Sequence, residues 1–311
     1  MKKQNTEDFP RQRGWGMVAE DGSEIWDAEP VFAGSFFGFW QKQKLIFYPK
    51  KFVLYRAIEK HIRHLQKRYA TIEGGNLYIP KILDLGCGTG ATVIDFKKMF
   101  GRRVDVIGLD IVHLQIDLAQ KKMRRYGVWT DVRYFDGRHL PFDNQTIDVV
   151  YTSDVLGHVQ DVPAWLSEIA RVLRPGGLLA MFAESKLGKH AYLRNYFLKH
   201  GLNTDPHYAF HVSLFSKATL REMLEQTDFE ILAMYSTVWA KFLVHPDELY
   251  PALHAQKKFL IFRWINFMLY WLKKITHPVS TALSELYSFV EMLTVGRFIE
   301  SQGYVIVAKK K

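Results

Sequence analysis

Between Lys81 and Ala183 the chain alternates two kinds of apolar spacing. Short consecutive apolar runs, the pattern of strands buried on both faces, are separated by segments whose apolar positions recur every three or four residues, as on one-sided helices. This predicts strands over Lys81–Leu85, Asp105–Asp110, Asp131–Asp136, Ile147–Thr152 and Gly177–Ala183, with helices over Thr92–Phe100, Leu114–Tyr126 and Ala164–Leu173. A helix over Lys217–Gln226 and strands over Phe229–Val238 and Tyr304–Ala308 complete the series. Alternation of this kind implies an α/β fold with a mainly parallel sheet and helices on both faces. Pro175-Gly176-Gly177 is expected to stop the helix ending at Leu173 and turn the chain into the fifth strand.

The flanks are patterned differently. Residues 1 to about 30 are polar, with turn signals at Gly14, Gly16 and Asp21-Gly22, and read as an arm or a strap. Val31–Tyr48 is rich in aromatics, and from Lys50 to Tyr69 one helical stripe carries Leu54, Ile58, Ile62, Leu65 and Tyr69. Lys60, Arg63, Lys67 and Arg68 lie off that stripe. The favoured reading is a helix covering one edge of the sheet with solvated charges; the other is a basic surface for anionic lipid or nucleic acid. Between the sixth and seventh strands, about Lys241 to Gln302, Phe259–Leu272 is almost wholly apolar, with Arg263, Asn266, Tyr270 and Lys273 on one narrow stripe. A helix so apolar must be buried, dimerised or sunk in a lipid interface. A cap packed on the N-terminal aromatic segment is favoured, with a second helix over Val279–Glu300. The expected division is 1–75 as arm and basic cap helix, 76–241 with 303–311 as core, and 242–302 as helical insert.

The chemistry concentrates at Ile82–Gly90, ILDLGCGTG. A strand ends in an acid, Asp84, and Gly86, Gly88 and Gly90 let the backbone turn sharply and approach a ligand. The next strand closes on Asp110, placed to accept hydrogen bonds from a ribose diol. The third glycine is not inside a helix as in dinucleotide sites, and the absence of GK[ST] excludes a phosphate-cradling P-loop. Asp84 is placed to attract a cationic group such as an α-amine.

The segment resembles motif I of the class I S-adenosylmethionine-dependent methyltransferases. Tyr134-Phe135-Asp136-Gly137, Asp143–Val150 and Leu173-Arg174-Pro175-Gly176-Gly177 resemble further landmarks, so the likeness covers about residues 81–183. It implies a Rossmann-like sheet of seven strands, the last antiparallel, and S-adenosylmethionine as cofactor. On that likeness Asp84, Gly86, Gly88, Gly90 and Ser153 serve the methionine end, Asp110 the ribose, and Asp136 with Gly137 the adenine; Cys87 and Ile111 are further cofactor-binding candidates.

Methylation of an oxygen or nitrogen acceptor calls for a general base, and histidine, which titrates near neutrality, is the natural search target. His158, in Val155–Val159, is read evenly as structural or catalytic. His207 and His211 fall in a loop where relatives carry substrate contacts, although surface placement is the default for both. No Cys/His cluster or carboxylate pair points to a metal. Quinone-precursor and other lipid methyltransferases carry helical additions of this kind, so the implied acceptor is small, hydrophobic or lipid-like, methylated on oxygen. An RNA or protein methyltransferase and a non-catalytic, membrane-peripheral binder are the alternatives.

Composition narrows this only slightly. The 311 residues, 48% hydrophobic, suffice for one large domain with a cap. A net charge of +10 favours anionic surroundings without choosing among nucleic acid, membrane and acidic substrate. Nucleic acid is not expected, because no separate RNA-binding module is apparent. Cys87 is the sole cysteine, which excludes a disulfide within the chain and suits a reducing compartment. No secretory signal and no spanning apolar run is read, so the expected location is cytoplasmic, with peripheral membrane contact through 255–300 as the alternative to a purely packed cap. The sequence fixes no oligomeric state.

Overall fold

The computed structural model describes residues 17–18, 24–25, 27–34, 38–72, 78–205, 210–237 and 239–311. Its centre is a seven-stranded sheet of β1 (Lys81–Leu85), β2 (Asp105–Asp110), β3 (Asp131–Tyr134), β4 (Ile147–Ser153), β5 (Leu173–Ala183), β6 (Phe229–Thr237) and β7 (Gln302–Lys310). The strand order is β3-β2-β1-β4-β5-β7-β6. The first five strands run parallel, and β7 lies antiparallel between β5 and β6. The order reverses between β1 and β4, so a crevice opens beyond their carboxyl ends.

Each strand divides its apolar residues between two cores because successive side chains leave opposite faces. Ile82, Val106, Val149, Leu178, Val305 and Val307 join one cluster, and Leu83, Ile107, Val150, Leu179, Tyr304 and Ile306 join the other. The first face is covered by α1 (Pro49–Ile72), α2 (Ala91–Phe100) and α3 (His113–Arg125). The second is covered by α4 (Val162–Val172) and, beyond α5 (Tyr192–Lys199), by α6 (Lys217–Gln226). Helix α1 therefore lies on a face of the sheet, against β5 and β7, rather than along an edge as the sequence led us to expect. Leu54, Tyr55, Ile58 and Ile62 are buried there, so the stripe is a core contact and Lys60, Arg63, Lys67 and Arg68 face outward.

A buried carboxylate ties the N-terminal segment to this core. Asp95 on α2 accepts hydrogen bonds from the Phe32 backbone N–H (2.9 Å), the Tyr55 hydroxyl (2.8 Å) and the Lys51 ammonium (3.1 Å). Nearby, the Lys122 ammonium reaches the Ala28 carbonyl (2.6 Å), the Thr89 hydroxyl (2.8 Å) and the Asp27 carboxylate. Residues 27–32 thus form a strap over α2 and α3; residues 1–16 lie outside the described residues.

Three sequence expectations need correction. Pro175-Gly176-Gly177 does not precede the fifth strand but bulges within it, since Leu173 pairs with Ile147 and Leu178 with Val149. The helix expected over Val279–Glu300 ends at Thr294. The insert is built from α7 (Lys241–Val244), α8 (Pro246–His254), α9 (Leu260–Ile275) and α10 (Val279–Thr294). As expected, it packs on the N-terminal segment, through α10 against residues 44–47 and α1, with Phe289 edge-on to Phe52; the third and largest correction concerns α9. Helix α9 turns its polar stripe inward: Asn266 donates to the Pro246 carbonyl (2.9 Å), Lys273 pairs with Asp247 (2.6 Å), and Tyr270 stacks on Tyr250. Phe259, with Leu249, Leu253 and Phe197 of α5, makes a small satellite core. The other side of α9 presents Leu260, Ile261, Trp264, Met268, Leu272 and Ile275 to the outside, each more than half exposed. Among the described residues no helix is long and apolar enough to cross a membrane.

Truncating the face of α1 should separate core from surface. Ile58→Ala is expected to lower unfolding free energy by about 2–5 kcal/mol in denaturant titrations. Lys60→Ala, on the outer face, should stay within about 0.5 kcal/mol of wild type.

Candidate active site

The loop after β1 folds back across β2. The N–H groups of Gly86 and Cys87 both donate to the Leu109 carbonyl, at 2.8 and 2.9 Å. Asp110 braces the next turn, accepting from the Gly88 N–H (2.8 Å) and the Val112 N–H (2.9 Å). Gly86 has a φ of +77°, and a Cβ there would stand 2.2 Å from Val155 Cγ2, so any side chain would displace the wall of the crevice. Gly108 is needed for a different reason: a Cβ on β2 would come within 3.0 Å of both Cys87 Sγ and Val93 Cγ2, lifting the loop off the sheet. Cys87 is buried, which pushes its thiol up and makes it a packing residue rather than a reactive one.

Two buried acids lie under this loop. Asp84 is 2% exposed, and its Oδ2 has no hydrogen-bond partner among the described residues. Burial pushes its carboxyl up to about 8; the Lys51 ammonium works against this, and Asp110 and Asp95 work with it. Asp110 is also raised, because burial outweighs the N–H groups that hold it. An acid buried without a cationic neighbour in contact holds a proton at a cost that a bound cation would relieve.

The rest of the crevice is shallower. Strand β3 stops at Tyr134, short of the expected Asp136, because the Asp136 carboxylate turns the chain by accepting from the N–H groups of Arg138 (2.9 Å) and His139 (3.2 Å). Those bonds hold Asp136 below the usual carboxylate range. Ile111 is 56% exposed at the crevice mouth, and Gly137 lies beside it. At the end of β4 the Ser153 hydroxyl donates to Asp154 (2.7 Å), a residue with φ of +58°. Lys50, at the start of α1, sits 3.4 Å above the Phe182 ring and 3.4 Å from Asp154.

Gly86, Cys87, Gly88, Asp110, Ile111, Asp136, Gly137 and Ser153 all line one chamber of about 2130 Å³. Two expected members do not. Asp84 lies beneath the loop, and Gly90 caps α2 and faces Ala119 of α3, so its missing Cβ serves helix packing. The volume exceeds the roughly 300–1,000 Å³ of a typical small-ligand pocket, leaving room for two molecules side by side. The far half is lined by His158, Glu184, Arg194, His211 and, from the insert, Tyr250, Tyr270 and Met292.

His211 is not on the surface as its loop position suggested; its side chain is 9% exposed, held by Asp205 (3.1 Å). It stands beside His158, with ring centroids 5.3 Å apart, and beside Glu184. His207 lies outside the described residues. Glu184, Lys50 and Asp205 are site residues that sequence reasoning missed. The available signal for Glu184 was its place directly after β5, matching that of Ser153 at the end of β4. Burial pushes Glu184 up to about 7.

A family model described as a methyltransferase domain matches residues 83–181. The chain is 36% identical over 163 residues to a demethylmenaquinone methyltransferase of Lactobacillus johnsonii, covering 48% of this chain and 67% of that protein. It is 34% identical to the ubiquinone/menaquinone biosynthesis C-methyltransferase UbiE of Idiomarina loihiensis, covering 40% of this chain and 51% of that one. It is 32% identical to the O-methyltransferase rstn1 of Aspergillus nomiae, covering 40% and 53%. The chain therefore spans two thirds of the first relative and about half of the other two. Among solved structures it resembles a geranyl diphosphate C-methyltransferase from Streptomyces coelicolor, 14% identical, with a TM-score of 0.49 over 93% of this chain and 92% of that one.

The raised acid gives a signed stability test. Between its ordinary 3.8 and about 8, folded Asp84 keeps a proton that the unfolded chain has released, so its contribution to stability falls as pH rises through that interval. Asp84→Asn is expected to gain melting temperature over wild type, and the gain should grow from about pH 4 to about pH 8, by on the order of 1 kcal/mol per pH unit, and level off above that. Thermal melts across that range check it; a constant difference between the two proteins contradicts it.

Proposed function

This chain belongs to the class I S-adenosylmethionine-dependent methyltransferases, and we propose that it methylates a small hydrophobic ring acceptor of the quinone-precursor type. The observation that carries this reading is the continuity of the chamber, from the glycine loop to the aromatic walls of the insert. S-adenosylmethionine, when bound, supplies a methyl group made electrophilic by its sulfonium. The protein's part is to align the acceptor with that methyl group and keep water out. The backbone of Gly86–Gly88 and the Ser153 hydroxyl would hold the methionine end, and a cationic cofactor above the loop would draw the buried Asp84 toward its ionised form. Asp110 would take the ribose diol through lone pairs its two N–H partners leave over, and Ile111, Asp136 and Gly137 would flank the adenine. His158 and His211 face the oxygen-bearing end of the acceptor, and Tyr250, Tyr270 and Met292 its apolar body.

The acceptor atom is the finer question. The sequence expectation was oxygen, and the Aspergillus relative bears an O-methyltransferase name. The relatives named for ubiquinone and menaquinone biosynthesis are called C-methyltransferases, and we take a ring carbon activated by a neighbouring hydroxylate as the reading to test. Methyl-labelled S-adenosylmethionine with a hydroxylated aromatic ring bearing an isoprenoid tail should give a product whose NMR places the label on ring carbon. Label on oxygen would establish the second reading. No label on either atom would overturn the acceptor class.

We further infer that the outer face of α9 rests on an anionic lipid surface. Six large apolar side chains there are exposed together, Trp264 and Trp271 are of the type that settles at bilayer interfaces, and Lys257, Lys258 and Lys274 rim the helix. Such a helix would bring the insert side of the chamber to where hydrophobic acceptors dissolve. Flotation with phosphatidylserine-containing vesicles should carry the wild-type protein up and leave an Ile261→Asp/Trp264→Asp variant behind. Equal flotation of both would remove the idea.

A further inference from the structure

Three segments that are far apart in sequence bring nitrogen and oxygen donors to one point on the chamber wall. His158 closes the turn after β4, Glu184 directly follows β5, and His211 lies between α5 and α6. One ligand atom from each lies within 4.8 Å of the others, and His211 Nε2 is 3.9 Å from Glu184 Oε1. Donors around a tetrahedral ion with bonds near 2.1 Å sit about 3.4 Å apart, so closure by a fraction of an ångström per side chain suffices.

The surroundings are those of a built site. His211 Nδ1 lies 3.1 Å from Asp205 Oδ2, the carboxylate–histidine contact that fixes a ring tautomer and turns the Nε2 lone pair toward Glu184. The Glu184 Oε2 accepts from the Gly157 N–H (3.1 Å), which fixes the carboxylate and leaves Oε1 toward His211. A proton relay would string such groups in a line. Here three donors converge, on a wall whose remaining side is the open chamber. Two imidazole nitrogens and one carboxylate oxygen suit zinc, cobalt, iron or manganese rather than magnesium or calcium, which prefer all-oxygen shells.

We propose that His158, Glu184 and His211 form a binding site for a divalent transition-metal ion, with its open coordination positions facing the acceptor. The ligand those positions would take is an oxygen of the acceptor, a hydroxylate or a carbonyl. That last point rests on the proposed function; the ion site itself does not.

The test uses chelator-treated full-length protein titrated with Co²⁺ and followed by visible absorption, with S-adenosylmethionine calorimetry on the same preparations. The expected result is ligand-field bands saturating at about one ion per chain. His211→Ala and Glu184→Gln should lose them, and Asp205→Asn should weaken affinity by about 10- to 100-fold, all with cofactor binding retained. If His211→Ala fails to fold, His158→Ala, at an exposed position, gives the same reading. Absence of bands in the wild-type protein, or bands that survive all three ligand substitutions, overturns the site. Cobalt bands without any S-adenosylmethionine binding would instead sink the functional reading and leave the ion site standing.

Discussion

The structure depends on how one loop is pinned to its neighbouring strand. After β1 the chain must leave the sheet, reverse, and enter α2 without filling the crevice at the switch point. It does so because a single carbonyl, Leu109, takes two loop N–H groups, and Asp110 takes a third. The close approach of loop to strand needs Gly108 on β2, and the reversal needs Gly86 in the left-handed region. The same bonds that shape the loop place two carboxylates under it. Removing the glycines would fill the crevice; removing Asp110 would unlatch the loop.

The second constraint is the placement of apolar surface. In the sheet and in α1 the apolar stripe faces inward, which is the ordinary outcome of burying it from water. Helix α9 is reversed: its polar residues are spent on α8, through Asn266 with Pro246 and Lys273 with Asp247, while its apolar side faces out. Asn266 Nδ2, Tyr270 and Lys273 of the inner stripe each find a partner on α8, so the reversal is specified by contacts rather than left over from packing. The insert accordingly has a chamber-lining side, with Tyr250 and Tyr270, and an outward apolar side.

Much of this was legible in the sequence, for identifiable reasons. The strands of the parallel half carry continuous apolar runs and end in acids or glycines, so Lys81–Leu85 and Asp105–Asp110 could be placed to the residue. The cofactor half of the chamber follows from them, since its residues sit within a few positions of strand ends. What could not be read was anything set by long-range convergence. Glu184 and Asp205 join His158 and His211 only because the turns after β4 and β5 and the segment before α6 meet in space. Helix α5 was missed because its one buried face is narrow, formed largely by Phe197 and Arg194. The direction of α9 was misjudged because periodicity gives the stripe but not which side is inside.

The central claim is that the crevice braced by Asp110 is the seat of S-adenosylmethionine. Isothermal titration of the cofactor into wild-type protein and Asp110→Ala tests it most directly, with circular dichroism confirming that both are folded. The account predicts saturable binding near one site per chain in the wild type and a loss of at least about tenfold in affinity in the variant, the scale of one hydrogen bond to a charged group. Equal affinity in two folded proteins, or no binding heat in the wild type, would contradict it.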